Sequence, residues 1–223
     1  MACLLPMLLA MPALTASAAL QADGTVRAGA ASAGTVDADW ILRRLQRPPP
    51  VSTPFVELRG SATLKQPLQL SGTYRRPDAN TLVREVSAPY AETTTIRNGE
   101  ATIAREGRTP RRFSLARVPE LAALQGGFGA LLSGDRAAIQ SQYTLEAVGA
   151  PGSWMLVMRP RDARAASRLD SIVLRGRDDE LHCIESRPVQ GDPQPTLLGP
   201  VAARTPTLDS LDAALRLCRE PSR

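Results

Sequence analysis

Aromatic residues are scarce in this 223-residue chain, at 4% of the total, which excludes a stacking platform of the kind that reads single-stranded nucleic acid. No nucleic-acid partner is expected. Histidine is limited to His182, and the cysteines to Cys3, Cys183 and Cys218, too few and too dispersed for a metal-ligand cluster. Carboxylate pairs, Ser/His or Cys/His arrangements and phosphate-cradling glycine loops are missing too, so the chain is read as a non-enzyme with no catalytic residue, metal or cofactor. His182 does precede Cys183, but neighbours in a strand point to opposite faces, which separates a base from its nucleophile. Lysine is nearly absent: Lys65 is the only one, and the formal charge of +5 and pI of 9.7 come almost wholly from arginine. A high-GC genome writes Arg for Lys in this way; the alternative is a weak attraction to anionic head groups.

A long apolar run is also missing. Met1 to Leu14 is nearly all Leu, Ala, Met and Pro, but Pro6 and Pro12 break it, and a spanning helix needs about 20 apolar residues. Ala16-Ser17-Ala18 then places small residues where a signal peptidase reads, so residues 1–18 are expected to be a signal peptide. Its n-region carries no Lys or Arg, which puts the true start codon in question, and Cys3 lies before the apolar run, where no lipoprotein-type acylation occurs. Residues 19–36, rich in Ala, Gly, Ser and Thr, are expected to be a flexible lead-in. Cleavage leaves Cys183 and Cys218 in an oxidising compartment; a disulfide is the simplest reading, with two separately buried thiols as the alternative.

What is present is one core's worth of apolar residues, 43%, in a strand-rich order. Trp40, Ile41 and Leu45 fall on one helical stripe, with Asp37 or Asp39 as N-cap and Pro48-Pro49-Pro50 as the stop. Strands are expected at 55–59, 62–65, 68–74, 81–86, 93–97, 101–105 and 112–116, with Leu68, Leu70, Gly72 and Tyr74 sharing one face. Asn98-Gly99 between two of them is the strongest turn signal, because both residues tolerate the positive φ of a type I′ hairpin. A helical stretch follows from Pro119, its face marked by Leu121, Leu124, Phe128, Leu131 and Leu132 and its middle made bendable by Gly126-Gly127. A short helix from Asp135 to Gln142 precedes strands at 143–148, 153–158, 171–175, 181–186 and 194–201, with a helical turn near 162–167 and a helical tail from Leu208 to Cys218. The fold class is therefore α+β: a strongly curved antiparallel sheet, an incomplete barrel, covered by helices.

The run PFVELRGSATLKQPLQLSGTYRRPDANTLVREVSAPYAETTTIRNGE, the helical VPELAALQGGFGALLSGD, YTLEAVGAPGSWMLVMRPRD and LDSIVLRG together resemble the outer-membrane lipoprotein carrier (LolA-like) family in order and spacing. The resemblance covers about residues 38 to 202 and gives a half-barrel domain at 37–202 with a C-terminal helical extension at 203–223. It implies a monomeric periplasmic carrier that binds the acyl chains of lipoproteins or another lipid in an apolar cleft. Implied partners are an inner-membrane exporter and an outer-membrane receptor or regulator. The alternative is a lipoprotein-sensing regulatory module of the same fold. Cleft and lid residues would come from Leu68, Leu70, Tyr74, Leu82, Val86, Phe113, Leu121, Leu124, Phe128 and Trp154, the alternative for each being an ordinary dry core. Gly126 and Gly127 would be the lid hinge, and Arg76 of RRPD would match the family arginine that ties the lid down, the alternative being a surface arginine beside a turn. The chain lacks the aromatic-rich strand typical of the general carrier, which suits a specialised relative serving another lipid.

Overall fold

Asp37 begins the regular structure: its Oδ1 accepts the Trp40 amide N–H at 2.6 Å and caps helix α1 (Ala38–Leu45). The computed structural model describes residues 35–60, 66–115, 136–205 and 207–220, all in one compact unit, Ala33–Arg223. The expected strand at 62–65 and the lid stretch with Leu121, Leu124, Gly126, Gly127 and Phe128 lie outside the described residues.

After α1 the chain builds a meander of β1 (Val51–Arg59), β2 (Leu68–Asp78), β3 (Thr81–Ala88), β4 (Glu92–Arg97), β5 (Glu100–Arg105) and β6 (Arg111–Ser114). Helix α2 (Arg136–Gln142) leads into a second, made of β7 (Tyr143–Ala150), β8 (Ser153–Pro160), β9 (Leu169–Arg177), β10 (Glu180–Pro188) and β11 (Gln194–Leu198), with α3 (Ala163–Ala166) between β8 and β9. Helices α4 (Gly199–Ala203) and α5 (Leu211–Arg219) close the described chain. β1 pairs with β11, Phe55 opposite Leu198, so the two meanders fuse into one antiparallel sheet of order β6-β5-β4-β3-β2-β1-β11-β10-β9-β8-β7. The sheet is not closed: β6 and β7 are its edges.

Local chemistry explains the turns. Asn98 and Gly99 take φ of 51° and 76°, as the expected type I′ hairpin requires. At Gly72, next to a register shift between β2 and β3, a Cβ would come within 1.8 Å of the Glu85 carbonyl oxygen, so only glycine lets the strands approach there. The last strand is shorter than the expected 194–201. It stops at Leu198 because Gly199 turns to a φ of 57° and Pro200 has no N–H for the ladder, and both instead open α4.

Both faces of the sheet are packed. On the inner face, Phe55, Leu70, Tyr74, Leu82, Val86 and Ile96 form one apolar cluster, while Trp154, Leu156, Met158, Ile172 and Leu174 form another beneath Ile41, Leu42 and Leu45 of α1. Leu181 and Ile184 pack against both clusters. In the strand order β3 and β9 are five steps apart, about 24 Å in a flat sheet at about 4.8 Å per step, yet their side chains line one cavity. The sheet must curl to bring them together, as expected. Outside the curl, Val56, Leu58 and Leu197 pack against Val201, Ala202 and Ala214 of α4 and α5.

A disulfide between Cys183 of β10 and Cys218 of α5 fastens the outer helix to the sheet. It spans 35 residues of sequence, a loop whose closure restricts the unfolded chain by about 3–4 kcal/mol. Cys218→Ser is therefore expected to lower unfolding stability by about that amount, and reductant should lower the melting temperature of the wild type but not of the variant. Equal urea midpoints for oxidised wild type and variant would show that the bridge adds nothing.

Candidate functional site

The concave side of the sheet encloses a cavity of about 570 Å³, within the range of about 300–1,000 Å³ usual for small-molecule sites. Its apolar wall comes from Leu82, Ile96 and Ile103 on one side and Leu169, Ile172, Leu174 and Ile184 on the other. Period-two alternation puts Leu82 of β3, Ile96 of β4, Ile103 of β5 and Ile172 and Leu174 of β9 inside, while Leu169 and Ile184 reach the same face across register shifts between β9 and β10.

The floor between these walls is polar. Glu57 of β1 is 6% exposed, and its Oε2 accepts Arg84 Nη2–H of β3 at 2.7 Å while its Oε1 accepts Arg59 Nε–H. Arg84, itself buried, lies with its guanidinium carbon 4.7 Å from the Phe55 ring centroid, and the Phe55 and Tyr74 rings are 4.7 Å apart. Burial works to raise the Glu57 pKa, but the Arg84 and Arg59 charges and their hydrogen bonds outweigh it and hold the carboxyl below its ordinary value of 4.5. Burial, reinforced by the Glu57 charge, pushes the Tyr74 hydroxyl up to about 12. At neutral pH the trio thus has fixed protonation: glutamate ionised, arginine charged, tyrosine neutral. It holds charge in place and is not set to exchange protons.

Antiparallel pairing fixes the two ends of the cavity. Around the end of β1 at Arg59 lie the starts of β2, β4, β9 and β11 and the ends of β3, β5 and β10. That rim carries Arg59, Glu92, Arg105 and Arg168. The opposite end is covered by α1 and the segment after it: Arg47 Nη2 bonds Asp179 Oδ2 at 2.8 Å in the β9–β10 turn, Arg136 Nη1 bonds Asp39 Oδ2 at 2.6 Å, and Val36 N–H donates to the Gly149 carbonyl at 3.2 Å.

Of the residues expected from the sequence to form the cleft, Tyr74 and Leu82 line this cavity. Leu70 and Val86 are buried in the adjoining inner cluster, and Leu68 and Phe113 pack on it half-buried. Trp154 belongs to the cluster under α1, where its Nε1–H donates to the Asp178 carbonyl at 3.2 Å. Arg76 is buried at the α1 end, where Nη1–H donates to the Arg47 carbonyl at 3.0 Å. Leu121, Leu124, Gly126, Gly127 and Phe128 are outside the described residues.

One expectation from strand geometry needs correction. A register shift between Leu181 and Cys183 in β10 turns His182 and Cys183 to the same, outer face: Leu181 and Ile184 both pack inside, while His182 hydrogen-bonds the Cys218 backbone and Cys183 bonds Cys218 Sγ. What separates them chemically is the disulfide, not the pleat. Burial also lowers the His182 pKa.

Glu57, Arg84, Arg59 and Arg105 escaped the sequence reading. A signal existed for Arg84, which sits between Leu82 and Val86 at period two and so must share their inner face. Glu57 gave none, because Phe55, Val56, Glu57 and Leu58 are all buried and the strand shows no alternation.

The model of the family described as outer membrane lipoprotein carrier protein LolA-like matches residues 30–221, which includes the C-terminal helix bearing Cys218. The chain belongs to this family. Among curated proteins none matches it. The crystal structure of a LolA superfamily protein from Nitrosomonas europaea is 11% identical and superposes with a TM-score of 0.39 over 74% of this chain and 91% of that one. Members of the LolA-like family are binding and carrier proteins of the periplasm, and among the described residues no helix is long and apolar enough to cross a membrane.

The buried pair makes a sign-specific prediction. Arg84→Met leaves Glu57 buried with Arg59 alone and should cost about 3–5 kcal/mol at neutral pH. In the wild type the lowered Glu57 pKa contributes stability above 4.5, lost as pH falls through the folded value. Loss of Arg84 moves that pKa upward, so the stability gap between the two proteins should narrow on acidification. A gap that is constant from neutral pH into the acid range, measured by urea unfolding, would rule out the charge interaction.

Proposed function

We propose that this protein is a periplasmic carrier that takes the acyl chains of lipoproteins, or of another lipid, into its concave cavity and moves them towards the outer membrane. The observation that carries the reading is an enclosed space walled by Leu82, Ile96, Ile172, Leu174 and Ile184 inside the half-barrel of a LolA-like family member. Apolar burial of a chain there is worth about 0.8 kcal/mol per methylene, so a long acyl chain supplies ample affinity without specific contacts. The disulfide fits an oxidising compartment, and with the signal-like start it supports export to the periplasm. On this reading the chain acts as a monomer between an inner-membrane exporter and an outer-membrane receptor. Residues 118–135 would serve as lid, Gly126 and Gly127 as its hinge and Arg76 as its latch.

The test is native mass spectrometry of protein produced through its export route, with organic extraction of whatever co-purifies. One lipid per chain is expected. Ile103→Glu, which puts a carboxylate on the half-buried β5 wall, should reduce lipid content about tenfold at an unchanged melting temperature. A wild-type extract free of lipid would sink the carrier reading, and a stable protein partner in its place would shift it to the sensing module.

A further inference from the structure

Charged side chains line the cavity as well as apolar ones. Among the described residues, four arginines, Arg59, Arg84, Arg105 and Arg168, and two carboxylates, Glu57 and Glu92, line it beside the apolar side chains. Their distribution matters more than their number. Arg84 is buried at the floor against Glu57, whereas Arg59, Arg105 and Arg168 are exposed and lie at or next to strand ends on the same rim. Arg59 and Arg105 are held in the same manner: each donates its Nε–H to a glutamate, Glu57 and Glu92 respectively, and Arg105 also lies with its guanidinium 4.5 Å from the Tyr90 ring centroid. Binding through Nε orients the guanidinium and leaves the terminal Nη pair, in hydrogen bonds to none of the described residues, as a fork matched to the two oxygens of an oxyanion.

From this placement we infer that the cavity takes an acidic amphiphile, its apolar chain inside and its ionised oxyanion head, a carboxylate or phosphate, held at the rim by Arg59, Arg105 and Arg168. The assignment rests on the carrier reading and narrows it to a ligand class. The two ends of such a ligand match the two environments: the chain meets Ile103, Ile172 and Leu174, and the head stays at the wet rim, where its desolvation is partial. A neutral head would leave the Nη forks of Arg59 and Arg105 without an oxyanion to match them.

The experiment compares a fluorescent fatty acid, parinaric acid, with the alcohol obtained by reducing its carboxyl group, both titrated into delipidated full-length mature protein at low salt and about pH 8, where the acid is ionised. The acid should bind about tenfold more tightly than the alcohol, and the advantage should shrink as salt rises. In the triple variant Arg59→Gln, Arg105→Gln, Arg168→Gln the affinity ratio should fall to about one; Arg168→Gln alone, should the triple variant unfold, should lower the ratio by at least about threefold. Equal binding of acid and alcohol by the wild type overturns the head-group assignment while leaving the carrier reading intact, and binding of neither overturns the carrier reading. A preference that survives in the variants removes the arginines from the site. Acetate competing as well as the long-chain acid would reduce the rim to a small-anion site. Arginine-dependent sedimentation with anionic vesicles, combined with equal probe binding, would make it a membrane-docking face instead.

Discussion

The pairing of β1 with β11 is the constraint on which everything else depends. Phe55 opposite Leu198 and Glu57 opposite Thr196 join the first described strand to the last, so that two meanders, each feasible as a small sheet, become one. Such a contact closes a loop of nearly the whole domain and carries a large loop-closure entropy, yet it decides the geometry. A sheet of this width accumulates the right-handed twist of every strand pair and cannot stay flat. Joined at β1–β11, it curls until β3 to β5 face β9 and β10, and the cavity exists only because of that. The edge strands β6 and β7 fall on either side of the sequence from 115 to 142, so the stretch expected to act as a lid lies in the chain between the two edges.

At the centre of this joint sits Glu57, and its environment follows from its position. A glutamate on the inner face of a central strand is buried whatever its chemistry, and burial alone would neutralise it. Arg84, two strands away, and Arg59, two residues along, keep it ionised. Replacing such a group by apolar residues is often neutral or stabilising, so stability alone does not account for an ionised cluster beside a ligand-sized space. With one carboxylate between two guanidiniums, the cluster leaves excess positive charge on that wall.

Legibility from sequence followed the strength of local signals. Hairpin chemistry at Asn98-Gly99, the capped stripe of α1 and the alternation in β2 and β3 each declare an element by themselves, and the curved sheet covered by helices follows from their number and order. Two failures share a cause. His182 and Cys183 face the same way because of a register shift, and Glu57 is inside although its strand shows no alternation; in both, the face of a residue is set by its partner strand, which no local pattern contains. The strand end at Leu198 was legible in principle, since Gly199-Pro200 is a stop signal that outweighs the apolar Val201 beyond it. The site was legible only as a set of apolar candidates, because a residue facing the cavity and one facing the dry core share the same side of the same strand: Leu82 lines the space and Val86, four residues on, does not.

An open apolar space carries a cost that has to be met elsewhere, since side chains lining a void lose the dispersion contacts a packed core supplies. The structure meets it by packing on two other sites. Beneath α1 the sheet is filled by Ile41, Leu42, Trp154 and Met158, which also closes one end of the barrel; on the outer face α4 and α5 cover β1, β10 and β11, the strands around the joint, and the disulfide holds α5 there. Because these supports sit behind and beside the cavity and not within it, its walls are free to be selected for a ligand. Among the described residues, the charged side chains on that wall lie at the floor and at the rim of one end, while Arg47 and Asp179 pair at the opposite end.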